Sequence, residues 1–384
     1  FGINSQGQIS SETSPEGRFV SSDFDTKGHV TKTIDEDGVT KYNYDSEKGL
    51  LLSSIDNDGK TTSYTYNDLE LAETITDPLG KLSRYAYNSF GVMTQSTDAL
   101  NHQTSFEQDN YFNTSAVVDA LNNRTEFTRD IAGNVTEVKD PLNRITKMFY
   151  DSMNRLVKTR DALGFETEMN YTPDGKLLSL ENAKNQTTSF EYNNNFRKVS
   201  RVVNPEGQSE SFVYDNNERL IEKTNKDGTK ISFVYDLLGR MTSKTIPEGI
   251  TSFAYDKDDL LKSVITPDST VELNYDSFGR VIATNQTALG GDELTYEYYA
   301  NGRRHFLRYK DKIEIEYFYD ERGLLTKIDS EMFGQHLVYQ IVYDELGRPT
   351  QEILPNGLLT IKTYDAISRL KTFHNGIANF TYTY

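Results

Sequence analysis

Acidic side chains that directly follow a tyrosine are the clearest candidates for chemistry in this sequence. Asp236 follows Tyr235, and the pairs Tyr275-Asp276 and Tyr343-Asp344 repeat the arrangement. Two carboxylates held at one site can hydrolyse a glycosidic bond as acid and base. A catalytic pair normally occurs once in a chain, whereas these pairs recur in equivalent sequence contexts. The recurrence favours a structural carboxylate that accepts hydrogen bonds from the following turn.

Histidines and acidic loops provide no stronger site. The loops at residues 35–38 (DEDG) and 56–59 (DNDG) have the alternating acids of a calcium loop but lack its glutamate at the twelfth position, so hairpin turns are expected there. The five histidines lie in separate segments with no shared spacing: His29, His102, His305, His336 and His374. No catalytic, cofactor-binding or metal-binding residue is therefore predicted, no cofactor is expected, and the chain is not expected to be an enzyme.

Composition restricts the partners that the chain can have. The net charge of −17 leaves no basic surface for nucleic acid, and no apolar run is long enough to insert into a membrane as a helix. Cysteine and tryptophan are absent, while tyrosine and phenylalanine supply 12% of the 384 residues. Together with abundant Thr, Ser, Asn, Asp and Gly, this composition is typical of β-strands and turns.

One repeat of about 21 residues runs through the whole chain. Its anchor is the second residue of an aromatic-x-aromatic pattern, and every step from Tyr66 to Tyr192 is 21 residues. The anchors are Ile3, Phe24, Tyr44, Tyr66, Tyr87, Gln108, Arg129, Tyr150, Tyr171, Tyr192, Tyr214, Tyr235, Tyr255, Tyr275, Tyr298, Tyr319, Tyr343, Tyr364 and Tyr384. The sequence predicts a single continuous array of about 18 repeats over residues 1–384, without a separate domain.

Two turn signals divide each repeat into two strands. In the first turn, Asp or Asn follows the anchor in 16 of 18 repeats, with Thr172 and Tyr299 as exceptions, and Gly commonly lies four residues after the anchor. A position with positive φ explains the glycine. A second turn, such as DPLG at residues 77–80, follows about ten residues later. Each repeat is therefore predicted to be a β-hairpin, which makes the fold all-β.

The repeat motif is carried by residues of the anchors and first turns, and these are the predicted structural site residues. They are Tyr44, Asp45, Tyr66, Tyr87, Gly91, Tyr150, Asp151, Tyr214, Asp215, Tyr235, Asp236, Gly239, Arg240, Tyr275, Asp276, Gly279, Arg280, Tyr319, Asp320, Gly323, Tyr343, Asp344, Gly347 and Arg348. Aromatic residues two apart share one face of a strand, so their rings are predicted to stack from repeat to repeat as ladders. Exposed tyrosine arrays also bind sugar rings, which leaves glycan binding as an alternative role.

Strand number predicts the overall shape. About 36 strands at about 4.8 Å spacing make a ribbon on the order of 170 Å wide, and open sheets rarely exceed about ten strands without curling. We therefore expect a hollow wall, or an open arc of one, that completes at most about one winding. Two longer steps, around residues 285–294 and 329–337, are interpreted as lengthened turns on the surface.

The motif Tyr-Asp-x-x-Gly-Arg-apolar, as in Tyr235 to Met241, resembles the YD repeat of the Rhs family of bacterial polymorphic toxins. This repeat also builds the shells of insecticidal toxin complexes and teneurins, and the resemblance covers essentially the whole chain. It implies a spiral of hairpins, a β-cocoon, that encloses a C-terminal toxin. In that family, DPxG lies near a self-cleavage region, but DPLG at residues 77–80 occupies an ordinary second turn.

The resemblance makes an encapsulation shell of an Rhs-type toxin the leading functional hypothesis. Its expected partners are a toxin cargo and the remaining shell domains of a longer parent protein, of which this chain is expected to be a piece. The expected location is secreted or on the bacterial cell surface. A cell-surface adhesion or carbohydrate-binding module, with glycans as partners, remains the alternative. The cargo, secretion route, target cell and oligomeric state do not follow from the residues.

Overall fold

A computed structural model describes residues 1–15, 17–35, 38–193, 198–287, 292–310 and 312–384. No α-helix occurs in these ranges, and strands account for nearly all regular structure. The strands are β1 (Gly2–Ile3), β2 (Ile9–Thr13), β3 (Phe19–Phe24), β4 (Val30–Asp35), β5 (Gly38–Tyr44), β6 (Leu51–Ile55), β7 (Thr61–Tyr66), β8 (Ala72–Thr76), β9 (Leu82–Tyr87), β10 (Met93–Thr97), β11 (Gln103–Gln108), β12 (Thr114–Val118), β13 (Arg124–Arg129), β14 (Val135–Lys139), β15 (Ile145–Tyr150), β16 (Leu156–Arg160), β17 (Glu166–Tyr171), β18 (Leu177–Glu181), β19 (Thr187–Tyr192), β20 (Val199–Val203), β21 (Ser209–Tyr214), β22 (Leu220–Thr224), β23 (Lys230–Tyr235), β24 (Met241–Ile246), β25 (Gly249–Tyr255), β26 (Leu261–Ile265), β27 (Thr270–Tyr275), β28 (Val281–Gln286), β29 (Asp292–Tyr298), β30 (Arg304–Tyr309), β31 (Ile313–Tyr319), β32 (Leu325–Met332), β33 (Gln335–Tyr343), β34 (Pro349–Ile353), β35 (Leu359–Tyr364), β36 (Leu370–His374) and β37 (Asn379–Thr381). The prediction of an all-β fold is confirmed.

The strands form one antiparallel sheet in which each strand pairs with the next along the chain. The register repeats: the anchor residue pairs next to a bulge, as where Val234 faces Ser243 but Tyr235 faces Met241. The neighbouring hairpin has the same bulge at Tyr214, which faces Leu220. Every hairpin therefore bends at the residue that carries the anchor side chain, because a bulge increases the local twist.

The sheet coils so that its second winding contacts its first. Arg18 contacts Asp256, and Asp58 contacts Arg303, so residues about 12 repeats apart are neighbours. The prediction of at most about one winding was therefore wrong, and the chain makes about one and a half windings. The flat spacing estimate treated all strands as one arc, whereas the bulge in each hairpin curves the sheet more tightly.

The wall is a single layer with almost no core. Among the described residues only Ala116, Ala283, Ser330 and Thr360 are buried, and no large side chain is fully buried. The accessible surface is 23138 Å². A solid globular protein of this mass exposes about 15,400 Å². The excess shows that the sheet has two solvated faces, which agrees with the predicted wall.

One of the two longer repeats differs from its prediction. The step from Tyr319 to Tyr343 contains longer strands, β32 and β33, joined by Phe333 and Gly334 alone. The lengthened turn predicted at residues 329–337 was therefore wrong. Both connecting residues have positive φ, which suits a two-residue hairpin turn. In the other long step, residues 288–291 lie outside the described residues, as do residues 36–37 of the first calcium-like loop.

Candidate functional site: turns, anchors and the seam between windings

The first turn of each repeat is built around the acidic residue after the anchor. In the turn after Tyr235, the Asp236 carboxylate accepts hydrogen bonds from the backbone N–H groups of Leu238 (2.9 Å) and Arg240 (3.0 Å). The Gly239 N–H donates to the Asp236 carbonyl, and Gly239 has a φ of 88°. The carboxylate thus fixes the turn while glycine permits its shape. The same two functions recur along the chain.

The second turn uses the same construction at the opposite end of the hairpin. Asp77 accepts hydrogen bonds from the N–H groups of Leu79 and Lys81, and the Gly80 N–H donates to the Asp77 carbonyl. Asp56 does the same in the calcium-like loop, accepting from Asp58 and Lys60. These acids are occupied by backbone donors, as expected for hairpin turns.

The anchor tyrosine joins its repeat to the preceding one. The Tyr235 hydroxyl donates to the Leu220 carbonyl at 2.9 Å, bridging residues 15 apart in sequence. Desolvation raises the pKa of Tyr235 above its ordinary value, so the hydroxyl retains the proton that it donates. Equivalent bonds come from Tyr66, Tyr87, Tyr150, Tyr171, Tyr192, Tyr214, Tyr255, Tyr275, Tyr298, Tyr343, Tyr364 and Tyr384.

Two anchors that are not aromatic make the same bond with other donors. The Gln108 side-chain amide donates to the Met93 carbonyl, and the Arg129 guanidinium donates to the Thr114 carbonyl. Both bonds span 15 residues, as most of the tyrosine bonds do. An amide or a guanidinium can therefore replace the phenol as the anchor donor, while Phe24 forms the same bulged hairpin without a donor.

A third interaction, which we call the turn latch, links consecutive first turns. Arg240 lies five residues after its anchor, and its Nε is 2.7 Å from the Asp236 carboxylate of the same turn. Its guanidinium lies over the ring of the next anchor, Tyr255, at 4.8 Å from the centroid. It also donates to the Asp256 carbonyl in the next turn. One arginine thus connects a carboxylate, a ring and a carbonyl across two repeats.

The latch recurs at several of the predicted site residues. Arg280 and Arg348 bond Asp276 and Asp344, and they lie over Tyr298 and Tyr364. Further latches join Asp151 with Arg155 and Tyr171, Asp215 with Arg219 and Tyr235, and Asp365 with Arg369 and Tyr384.

Other predicted site residues lie in variants of this arrangement. Tyr44 stacks on His29 with centroids 4.8 Å apart, while Asp45 accepts hydrogen bonds from the Glu47 and Lys48 N–H groups. The Arg303 guanidinium lies 5.9 Å from the ring centroid of Tyr319. The Asp320 side chain pairs with Arg322 in place of an arginine five residues after the anchor. Positive φ also occurs at Gly91, Gly279, Gly323 and Gly347.

The predicted ladders of stacked rings are not what connects the repeats. Among the described residues, ring contacts do not join consecutive anchors, and cations from the preceding repeat lie over many of the anchor rings instead. Besides arginines, Lys176 and Lys198 take this place over Tyr192 and Tyr214. Anchors in neighbouring repeats are two strands apart, about 9.6 Å at ordinary strand spacing, which leaves room for a cation between rings.

Sequence reasoning missed the seam, which is the set of contacts between second turns of the first winding and first turns of the second winding. Arg18 pairs with Asp256 and Asp258, Lys60 with Glu321, and Lys81 with Glu345. Asn301 and Arg303 contact Asp58. Each of the three basic residues, Arg18, Lys60 and Lys81, is the last residue of its second turn. The sequence signals were this shared position and the departures from the repeat motif at Leu260 and Tyr299.

The described part of the chain has few features of a chemical site. No group of three or more acidic or histidine side chains is arranged to hold a metal ion. No helix long and apolar enough to cross a membrane occurs there. A depression of about 900 Å³ opens beside the seam and is lined by Arg18, Arg240, Tyr255, Asp256 and Tyr275, among others. These residues already serve the latches or the seam.

Comparisons with known proteins agree with this architecture. The RHS Repeat family model matches residues 132–166 and 214–251. Crystal structures of TcdB2-TccC3-TEV and TcdB2-TccC3 are each 14% identical, with TM-scores of 0.57 and 0.56 over 96% and 95% of this chain. A Photorhabdus luminescens Tc holotoxin pore is 14% identical with a TM-score of 0.54 over 94%. No curated protein matches the sequence significantly.

The solved structures are much longer than this chain. The matches cover 27%, 26% and 26% of those three chains, so the sequence spans about a quarter of their length. At this level of identity the similarity establishes the fold, a coiled sheet of YD-type hairpins.

Proposed function

We propose that this chain is a member of the RHS-repeat, or YD-repeat, family, whose model matches two of its segments, and that it is a wall segment of a shell that encloses and shields a polypeptide cargo. The observation that carries the proposal is the seam, because it shows that the sheet coils back onto itself. The cargo is a toxin or another effector, and the remaining shell domains complete the enclosure. One similar solved structure is described as a Tc holotoxin pore, which supports a secreted, extracellular setting.

The dimensions of one winding suit this role. Twelve to thirteen hairpins, at two strands each and about 4.8 Å per strand, give a circumference of about 120 Å and a width of about 40 Å. Side chains fill roughly 5 Å on the inner side of each wall, which leaves a space about 30 Å across. A compact domain of about 50 residues has a radius of gyration of about 10 Å and is about 25 Å across, whereas one of about 100 residues is about 34 Å across and exceeds this space. A partly unfolded chain or small domain therefore fits inside, while a protease is excluded by the wall.

The repeated acids support a non-catalytic wall. A catalytic carboxylate needs an oxygen atom that is free to contact the substrate. Asp236 and its equivalents instead accept two backbone hydrogen bonds and frequently pair with arginine. Those bonds lower the pKa of Asp236 despite its desolvation, so the carboxylate stays ionised at neutral pH. We propose that the chain acts by forming a barrier and not by catalysing a reaction.

Glycan binding is less well supported by the anchors. Their hydroxyl groups are bonded to backbone carbonyls, and cations cover one face of many of their rings. A sugar-binding tyrosine offers a free ring face, and one candidate of that kind is Tyr111, which is 84% exposed in a first turn. A glycan array on the wild-type chain, repeated with Tyr111→Ala, tests the alternative. Binding that is lost in the variant would replace the shell proposal with adhesion.

A protection assay tests enclosure directly. A disordered, protease-sensitive reporter is fused after Tyr384 through a Gly/Ser linker, and its cleavage rate is compared with that of the same reporter mixed with the unfused chain. We expect cleavage of the fused reporter to slow several-fold, because the wall limits access of the protease. Equal rates for fused and free reporter would refute shielding by this segment. Small-angle X-ray scattering of the unfused chain must also show the profile of a hollow particle.

A further inference from the structure

Two first turns of the second winding lack one member of the turn latch. After the anchor Tyr255, the position that holds arginine in latched repeats is Leu260. After the anchor Tyr298, the position that holds Asp or Asn is Tyr299. The first of these turns has a carboxylate, Asp256, without an arginine in its own repeat. The second has an arginine, Arg303, without an acid after its anchor.

The first winding supplies the missing arginine. An Nη of Arg18 lies 2.8 Å from the Asp256 carboxylate, which corresponds to the bond from Arg240 to Asp236 inside the array. The Arg18 guanidinium also lies over Tyr275, the next anchor, at 5.8 Å from the ring centroid. Arg18 therefore contacts the same two groups that an arginine at position 260 would contact. Its side chain is only 14% exposed, so solvent screens this pair weakly.

The first winding also supplies the missing acid. The Asp58 carboxylate accepts a hydrogen bond from the Asn301 side chain and lies 3.6 Å from the Arg303 guanidinium. Arg303 lies over the next anchor, Tyr319, as a latch arginine does. Tyr299, which replaces the usual acid, instead donates its hydroxyl hydrogen bond to the Tyr317 carbonyl and stacks on His305.

We propose that Arg18 and Asp58 determine where the sheet closes on itself, because each completes from the first winding a turn latch that the second winding leaves incomplete. Both matches occur at the same offset of 12 repeats, although one supplies a cation and the other an anion. The inference deepens the shell proposal, since the offset sets the width of the wall. It concerns closure alone and does not depend on any cargo.

Neighbouring positions show why other registers are disfavoured. If the windings slipped by one repeat, Arg18 would meet either Asp236 or Asp276, and those carboxylates already pair with Arg240 and Arg280. A guanidinium without a free carboxylate would then be held in a poorly solvated place, which is costly. Asp58 would meet Asp320 after a slip in one direction, placing two acids together. The two incomplete latches thus accept the first winding at one offset only.

Distance measurements between spin labels test the proposal, since the chain has no native cysteine. Nitroxides at Thr65→Cys and Val342→Cys, two exposed strand positions in the first and second windings, report the separation of the windings without touching the seam. We expect a single narrow distance in the otherwise wild-type chain. In the Arg18→Glu/Asp58→Lys variant we expect a longer, broad distribution, with the opening equilibrium shifted about 5- to 30-fold.

Three further variants separate closure from general damage. The exchange Asp58→Arg/Arg303→Asp reverses the pair and should keep the narrow distance of the wild-type chain. The variant Leu260→Arg should weaken closure without removing any side-chain bond, because it supplies an arginine to Asp256 from its own repeat. The control Arg219→Leu removes a latch that never crosses the seam and should leave the distance unchanged. An unchanged distance in Arg18→Glu/Asp58→Lys, or equal opening in the control, would overturn the proposal. Because no cargo is present, these results are independent of the protection assay.

Discussion

Two stretches of the wall have the same hairpins but different connections between them. In residues 66–113, which we call the latch-free stretch, the first turns begin with Asn67, Asn88 and Asp109 and have no arginine five residues after the anchor. In residues 214–280, the latched stretch, Arg219, Arg240 and Arg280 provide latches in three of the four first turns, and Arg18 pairs with Asp256 in the fourth. The bulged register is identical in both stretches.

The shared features identify what the hairpin requires. Tyr87 in the latch-free stretch and Tyr235 in the latched stretch donate to carbonyls 15 residues earlier at the same distance, 2.9 Å. Asn88 fixes its turn with a neutral amide oxygen, just as Asp236 does with a carboxylate. The anchor bond and the turn acceptor therefore suffice for the fold. The latch adds a charge-dependent connection to them.

The largest expected difference between the two stretches is their response to acid. The N–H and side chain of Arg219 lower the pKa of Asp215, and the bonds from Arg240 lower the pKa of Asp236 despite its desolvation. An acid whose pKa is lowered by folding stabilises the protein above its unfolded pKa of about 3.9, and this stability is lost as pH falls through the folded pKa. The latched stretch should therefore open below about pH 4.

Hydrogen exchange followed by mass spectrometry checks this prediction. After correction for intrinsic rates, the turns at residues 215–219 and 236–240 should lose protection as the pH falls below about 4, while those at 67–71 and 88–92 should keep theirs. The asparagine turns serve as an internal control because they contain no carboxylate that contacts the backbone. Equal loss of protection in both stretches would show that the latches do not decide acid stability.

Removal of an anchor ring should have the next largest effect. In Tyr235→Ala the chain loses a half-buried ring, the bond to the Leu220 carbonyl and the contact with Arg219, and we expect a loss of about 2 to 3 kcal/mol in unfolding free energy. Tyr87→Ala is the matched variant, because no cation contact accompanies its anchor bond among the described contacts. It should cost about 0.5 to 1 kcal/mol less. Urea denaturation measures both, and a larger cost at Tyr87 would contradict the role assigned to the latch.

The smallest effect should come from installing a latch where none exists. Asn67→Asp with Leu71→Arg recreates the pair Asp236–Arg240 beside the aromatic anchor Tyr87. We expect a gain of about 0.5 to 1 kcal/mol at low salt, which should diminish above roughly 0.5 M salt through screening. Asn67→Asp with Leu71→Gln is the control for the loss of the leucine. A salt-independent gain would point to turn propensity instead of a new ion pair.

Prediction from the sequence succeeded where one local rule is copied many times. The alternation of turns and aromatic strands predicted hairpins throughout, and the carboxylate of Asp236 was correctly expected to bond its own turn. Prediction was wrong where the interaction joins two repeats. Strand spacing alone could not show that cations such as Arg240 lie over the next anchor ring. Nor could it show that Gln108 and Arg129 replace an anchor tyrosine as donors.

The sequence by itself determined the hairpin, its length and its two turns, because all of these depend on contacts within about 21 residues. Only the tertiary structure decided how tightly the sheet coils and which turns meet after one winding. Curvature accumulates from a small bend at each bulge, so it has no local signature in the chain. Leu260 and Tyr299 look like ordinary irregularities until Arg18 and Asp58 lie beside them.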